Sequence, residues 1–321
     1  METSTDTGTE TLSDHLEDAY EVVVVGGGAA GLNGALMLAR SRRTVVVLDA
    51  GEPRNAPADG VHGLLGHDGI KPAELLATGR GEVRRYGGHV VRAAVDAVHR
   101  DGDGSGAGFV VALADGRTVR ARRILVATGL VDDLPDLPGL RERWGHDVVH
   151  CPYCHGWEVR DQAIGVLATG PMSVHQALLF RQLSDDVVYF TDDRDLAPGQ
   201  AGQLAAVGVQ VKEGRVTGLE AGGLRLADGA LVAREAVVVA PRMRVRADFL
   251  APLGLRPVEH PSGAGDHLPT DQAGQTPVPG VYAAGNVTDP SAQVGAAAAA
   301  GAWAGARINA ELVMAAATVT S

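Results

Sequence analysis

The chain has 321 residues, enough for two domains with cores of their own, and a formal net charge of −11 that argues against nucleic acid or an anionic membrane as partner. Aromatic residues make up 4% of the chain while Gly and Ala abound, a composition suited to closely packed α/β layers. No long uncharged apolar run is present and the acidic N-terminus lacks a basic-then-apolar leader pattern, which points to a reducing cytoplasm.

Residues 1–18 are acidic, Thr-rich and without periodicity, and read as a disordered lead-in. Residues 21–25 form a β-branched apolar run, as a buried parallel strand does. Gly26, Gly28 and Gly31 then satisfy G-x-G-x-x-G, with Ala30 inside the turn. Such glycines let backbone N–H groups approach a pyrophosphate at the start of the next helix, expected over 29–41. A second strand at 44–48 ends at Asp49, where a carboxylate can accept hydrogen bonds from an adenosine ribose. Glycines alone are weak evidence. Strand, turn, helix and acid together predict a dinucleotide site.

Residues 51–69, rich in Pro, Gly and His, read as a loop over a site; 71–86 has helical spacing. Stretches 89–98 and 109–113 alternate like antiparallel strands, Asp115-Gly116 marks a hairpin, and 123–127 is a further strand running into Ala127-Thr128-Gly129.

The two cysteines of the chain stand in His150-Cys151-Pro152-Tyr153-Cys154-His155. Two intervening residues allow a disulfide, and Pro152 suits the first position of a helix. That helix N-terminus would favour thiolate, and His150 or His155 could shuttle the proton. Structural zinc wants four ligands and no second pair exists, so no metal is expected. A bridge closing so short a loop adds little stability. Redox chemistry is the favoured reading.

A second βαβ unit opens at 163–167, but its turn, Ala168 to Ser173, keeps Gly170 alone of the three glycines and carries Pro171. Its helix is expected to reach residue 183. Asp192 and Asp193, after a strand at 187–190, disfavour a 2′-phosphate, so this nucleotide site reads as degraded. Further strands are expected at 209–211, 224–226 and 236–240, and Arg242, Arg244 and Arg246 read as a solvated loop. The closing helix, 294–312, is rich in Ala and Gly and suits close contact with another backbone.

The glycine turn, Ala127-Thr128-Gly129, the Cys-x-x-Cys, the second βαβ unit and Ala284-Gly285-Asn286 occur in this order in the low-molecular-weight thioredoxin reductases, which the chain resembles after residue 20. Cys-Pro-Tyr-Cys-His-Gly-Trp-Glu is most similar to the flavin-dependent dithiol oxidases of gliotoxin and holomycin biosynthesis. The resemblance implies two Rossmann-like, three-layer ββα domains of the pyridine nucleotide-disulfide oxidoreductase type, in a homodimer. The FAD-binding domain would be discontinuous, 20–132 plus 258–321, with 133–257 carrying the Cys-x-x-Cys.

It also implies roles. Cys154 would face the flavin and Cys151 exchange with a small-molecule dithiol, O2 being the final acceptor and H2O2 the product. His155, replacing the reductases' Asp, and less directly His150, would accept protons. Gly285 and Asn286, the latter replacing an acid, would meet the ribityl chain of FAD. Gln293 and Val294 would bring a helix N-terminus to the reduced flavin. The alternative is an NAD(P)H-dependent reductase of a disulfide.

Overall fold

The computed structural model describes residues 14–102 and 108–318. The first unit runs β1 (Ala19–Val25), α1 (Ala29–Arg40), β2 (Val45–Asp49), α2 (Pro72–Arg85), β3 (His89–Arg92), β4 (Val95–Arg100), β5 (Phe109–Leu113) and β6 (Thr118–Val126). A short β7 (Leu130–Asp133) leads out of it, to β8 (Val148–Val149), α3 (Pro152–His155), β9 (Ile164–Leu167), α4 (Ser173–Phe180), β10 (Val187–Phe190), α5 (Gln200–Ala206) and β11 (Gln210–Lys212). Then come the meander β12 (Val216–Glu220), β13 (Gly223–Leu226) and β14 (Leu231–Ala233), followed by β15 (Ala236–Val238) and β16 (Arg242–Val245). The hairpin β17 (Val258–Glu259) and β18 (Asp266–His267) precedes β19 (Val281–Ala283) and α6 (Val294–Thr318).

Among the described residues, a seven-stranded sheet follows the path β3-β2-β1-β6-β5-β4 with β19 also on β6, and a five-stranded sheet runs β11-β10-β9-β15-β8. β6 is long enough to serve two layers. Its first half pairs antiparallel with β5 and its second half pairs parallel with β19. The path therefore folds back over itself, since only Ala93 and Ala94 join its two end strands. The alternation over 89–98 suggested one antiparallel strand; instead β3 runs parallel to β2 and β4 antiparallel to β5. The break is tertiary and leaves the alternation intact.

β1 is apolar along its length because both its faces are covered. Val22 and Val24 pack with α1 and α6 residues such as Leu38, Ile308 and Leu312, while Val23 and Val25 pack with Phe109, Val111 and Val119 of β5 and β6. The second sheet is likewise sandwiched, Ile164 and Val166 against α4 and Leu167 and Val237 against β12 and β13. The expected closeness of the last helix holds: a Cβ at Gly301 would collide with the Ala30 carbonyl and one at Gly305 with the Gly34 carbonyl.

Two expectations need correcting. Residues 14–19 are held rather than loose, for the Asp14 carboxylate accepts from the Val90 amide at 2.7 Å and pairs with Arg84; the rest of the lead-in lies outside the described residues. Arg242 and Arg244 belong to a strand, β16, paired antiparallel with β7. The cluster is neutralised: Arg242 pairs with Asp266, Arg244 with Asp133 and Arg246 with Glu52. Among the described residues, no helix is long and apolar enough to cross a membrane.

Candidate functional site

β1, β2 and β6 end on one side of their sheet, and β8 and β15 end facing them. Between lies a continuous cavity of about 1070 Å³, at the large end of the ~300–1,000 Å³ usual for ligand sites. β1 has β2, reached through α1, on one side and β6, reached only after β3 to β5, on the other, so the strand order reverses there, which is where open α/β sheets hold nucleotides.

Gly26, Gly28, Ala30, Asp49, Ala127, Thr128 and Gly129 line this cavity, as do Asn286, Gln293 and Val294 from the far end of the chain. The turn's geometry explains its glycines. Gly26 has φ 107° and a Cβ there would strike the Ala127 carbonyl, whereas a Cβ at Gly28 would meet nothing within 4 Å, leaving its backbone open to a ligand. Gly31 and Gly285 do not line the cavity. A Cβ at Gly31 would strike the Gly26 carbonyl and one at Gly285 would crowd Ala30, so both serve the packing behind the turn. The N-terminus of the twelve-residue α1 opens onto the glycine turn, and Asp49 stands beside Gly27 with Oδ1 accepting from the Gly51 amide at 2.9 Å. This cradle fits the pyrophosphate and ribose of a dinucleotide.

Asn286 also shapes the backbone beside the cavity. Its Nδ2 donates to the carbonyls of Asp289, Pro290 and Ala292, at 3.1, 3.3 and 2.8 Å, and so shapes the turn into α6. A carboxylate cannot donate these bonds and would repel the carbonyls. Asn286→Asp is expected to lower stability by about 1–3 kcal/mol, read from denaturant unfolding of the holoprotein.

Cys151 and Cys154 form a disulfide with Cα atoms 5.2 Å apart, Cys151 capping α3 and Pro152 opening it. Both line the same cavity as the glycine turn, together with His150 and His155. Burial pushes His155 below histidine's ordinary range; Glu158 and Asp59 pull it back up, and His62 and His146 push it further down. His150 is lowered too, first by burial, against a hydrogen bond to Val239 that raises it; Arg54 lowers it and Asp132 raises it. Its Nδ1 lies 3.1 Å from the Val239 carbonyl oxygen. The buried Gln176 on α4 donates to the His150 carbonyl at 2.8 Å, an anchor that no pattern in the sequence announces.

The second turn also lines the cavity, through Thr169, Gly170, Pro171 and Met172, but its first amides are turned inward. The fully buried Ser173 places Oγ where it accepts from the amides of both Thr169 and Gly170, each at 3.1 Å. Pro171 has no N–H, and the Ser173 amide donates to the Gly170 carbonyl at 3.1 Å. Beyond β10, Asp192 caps β12 by accepting from the Val216 amide at 2.8 Å.

The loop 51–70 spans the cavity's edge. Arg54 grips Asp132 with two bonds of 2.8 and 2.7 Å, and a Cβ at Gly145 would crowd Pro57.

Several known proteins are similar to this chain. "Thioredoxin reductase tcpT" of Claviceps purpurea is 32% identical over 283 residues, covering 83% of this chain and 86% of that protein. "Thioredoxin reductase sirT" of Leptosphaeria maculans is 30% identical over 325 residues, covering 90% and 93%. The crystal structure of HlmI superposes with a TM-score of 0.86 at 45% identity, over 96% of this chain and 100% of HlmI. An oxidoreductase from Agrobacterium tumefaciens gives 0.86 at 37% identity, over 92% and 99%. Residues 20–305 match the profile of the pyridine nucleotide-disulphide oxidoreductases. The chain belongs to that family, on its thioredoxin reductase-like side, and is an FAD-binding oxidoreductase with two Rossmann-like domains.

Proposed function

We propose that the protein is an FAD-dependent dithiol oxidase that closes an intramolecular disulfide in a small natural-product dithiol. Electrons would leave through Cys151 and Cys154 to the flavin and on to O2, giving H2O2. The observation that carries this reading is the Ser173 plug: the turn that would hold NAD(P)H has its two leading amides turned onto a buried side chain. The Cys pair meanwhile shares one cavity with the dinucleotide cradle. HlmI, the more similar of the two solved structures, is matched along its whole length at 45% identity.

Bound FAD supplies a two-electron acceptor that oxygen can reoxidise. The chain's own residues handle sulfur and protons. A substrate thiolate attacks the sulfur of Cys151, the Cys151–Cys154 bond breaks, and Cys154 leaves as thiolate, the helix N-terminus favouring its charge. The second substrate thiol loses its proton and attacks the first substrate sulfur, closing the product disulfide and expelling Cys151. His155, half-buried with its basic form favoured, takes a proton at its ring nitrogen. The enzyme would act as a homodimer in a reducing cytoplasm, where a lone Cys-x-x-Cys stays available for catalysis.

The relatives named thioredoxin reductases favour a second reading, an NAD(P)H-dependent disulfide reductase. Anaerobic stopped-flow separates the two. The oxidase reading expects rapid bleaching of the flavin by a small dithiol and none by NADPH or NADH; the reverse pattern rejects it. Because burial lowers His155, its neutral form persists below the ordinary value of about 6.5, so the bleaching rate should fall only below that pH.

A further inference from the structure

A second titratable cluster stands at the cavity mouth, outside the residues given roles above. The loop 51–70 carries His62 to the cavity wall, beside the stretch that holds Cys151, Cys154 and His155. Its Nε2 lies 3.4 Å from Glu158 Oε1 and its Nδ1 3.6 Å from Asp68 Oδ1. His62 is the inner member of this row, its side chain 26% accessible against 38% at Glu158 on one side and 69% at Asp68 on the other. The row therefore leads from the cavity wall to open water. The charged groups facing His155 are Glu158 from the turn after its own helix, His62 and Asp59 from the loop, and His146 from the turn before β8. Asp68 and Glu158 flank His62, which also acts on His155 through its charge.

The chemistry needs such a path. Converting a dithiol and an enzyme disulfide into a product disulfide and two cysteine thiolates releases two protons, one from each substrate thiol. One imidazole holds one of them. His155 must be emptied before it can serve the second thiol, and its half-buried position slows direct exchange with water. Two protons through one base require an exit.

We propose that His62, seated between Glu158 and Asp68, is a proton relay that empties His155 to solvent between the two thiol deprotonations. The inference rests on the dithiol-oxidase reading. His62 acts through His155 rather than on sulfur, and Glu158 positions it.

The test uses holoenzyme mixed with dithiothreitol without oxygen in dilute buffer near neutral pH. The reaction is quenched by alkylation, and enzyme alkylated at both Cys151 and Cys154, which forms only after the second substrate thiol has reacted, is counted by mass spectrometry. His62→Ala should open the pair roughly tenfold more slowly than the parent, and added imidazole should restore the rate. Glu158→Gln should slow opening in the same direction and respond to imidazole likewise. His62→Gln, which keeps a polar side chain in the loop, should remain slow without imidazole. Parental rates in His62→Ala and His62→Gln would overturn the relay, and so would a slowed rate that imidazole leaves unchanged, since that marks loop packing. A parent enzyme whose pair dithiothreitol does not open sinks the oxidase reading itself, and the relay with it.

Discussion

Cys151→Ser is expected to abolish dithiol turnover, by more than about 10³-fold, while the protein still purifies with its flavin. Serine leaves a hydroxyl that cannot form the enzyme disulfide or the mixed disulfide with substrate. The cofactor cradle does not depend on that sulfur, for it is built from Gly26 to Gly28, Asp49 and the start of α1. Oxygen uptake with a dithiol and the visible flavin spectrum, measured on one preparation, check both halves. Full oxygen uptake would remove Cys151 from the exchange step. Loss of flavin would show that the cradle relies on the disulfide helix.

Gly301→Val is expected to have the largest structural effect. α6 crosses α1 backbone to backbone, with Gly301 on Ala30 and Gly305 on Gly34, so no side chain fits between them. A valine must push the helices apart or tilt α1, a loss of about 3 kcal/mol by the usual cost of overpacking. Ala30 also lines the cavity, so the displacement should release FAD as well as lower the melting temperature. Gly202→Ala on α5 is the control. Its added Cβ meets nothing within 4 Å, and about 0.4–1 kcal/mol of added stability is expected. Equal melting temperatures for Gly301→Val and the parent would mean that the helix contact is not needed for stability.

The parts of the site legible in the sequence are those whose chemistry is local. The glycine turn, Asp49 and Cys-x-x-Cys each carry their geometry within a few residues, and each reaches the cavity as read. Gly31 and Gly285 matched their motifs, yet the structure uses them for packing. Longer-range relations were not legible. Nothing in 89–98 says that its halves stand at opposite ends of a folded sheet, because side-chain alternation is the same in both. Arg242, Arg244 and Arg246 look solvated until the acids that neutralise them, Asp266, Asp133 and Glu52, are brought in from distant segments. Ser173 was visible as a missing glycine, but its hydroxyl's grip on two amides depends on the turn's shape. His62 sits in a loop without periodicity, so its meeting with Glu158 has no sequence signature.

The pairing of β19 with β6, and the seating of α6 on α1, have a consequence for biosynthesis. The ribosome delivers β1 to β6 first, then every strand of the five-stranded sheet, and only afterwards the segment that brings Asn286, Gln293 and Val294 to the cavity. The emerging chain must keep a half-built cradle for more than a hundred residues of translation. The intervening sheet has its complete set of strands sooner and can fold ahead of it, so capture of the vitamin-derived cofactor is a late event in the life of each new molecule.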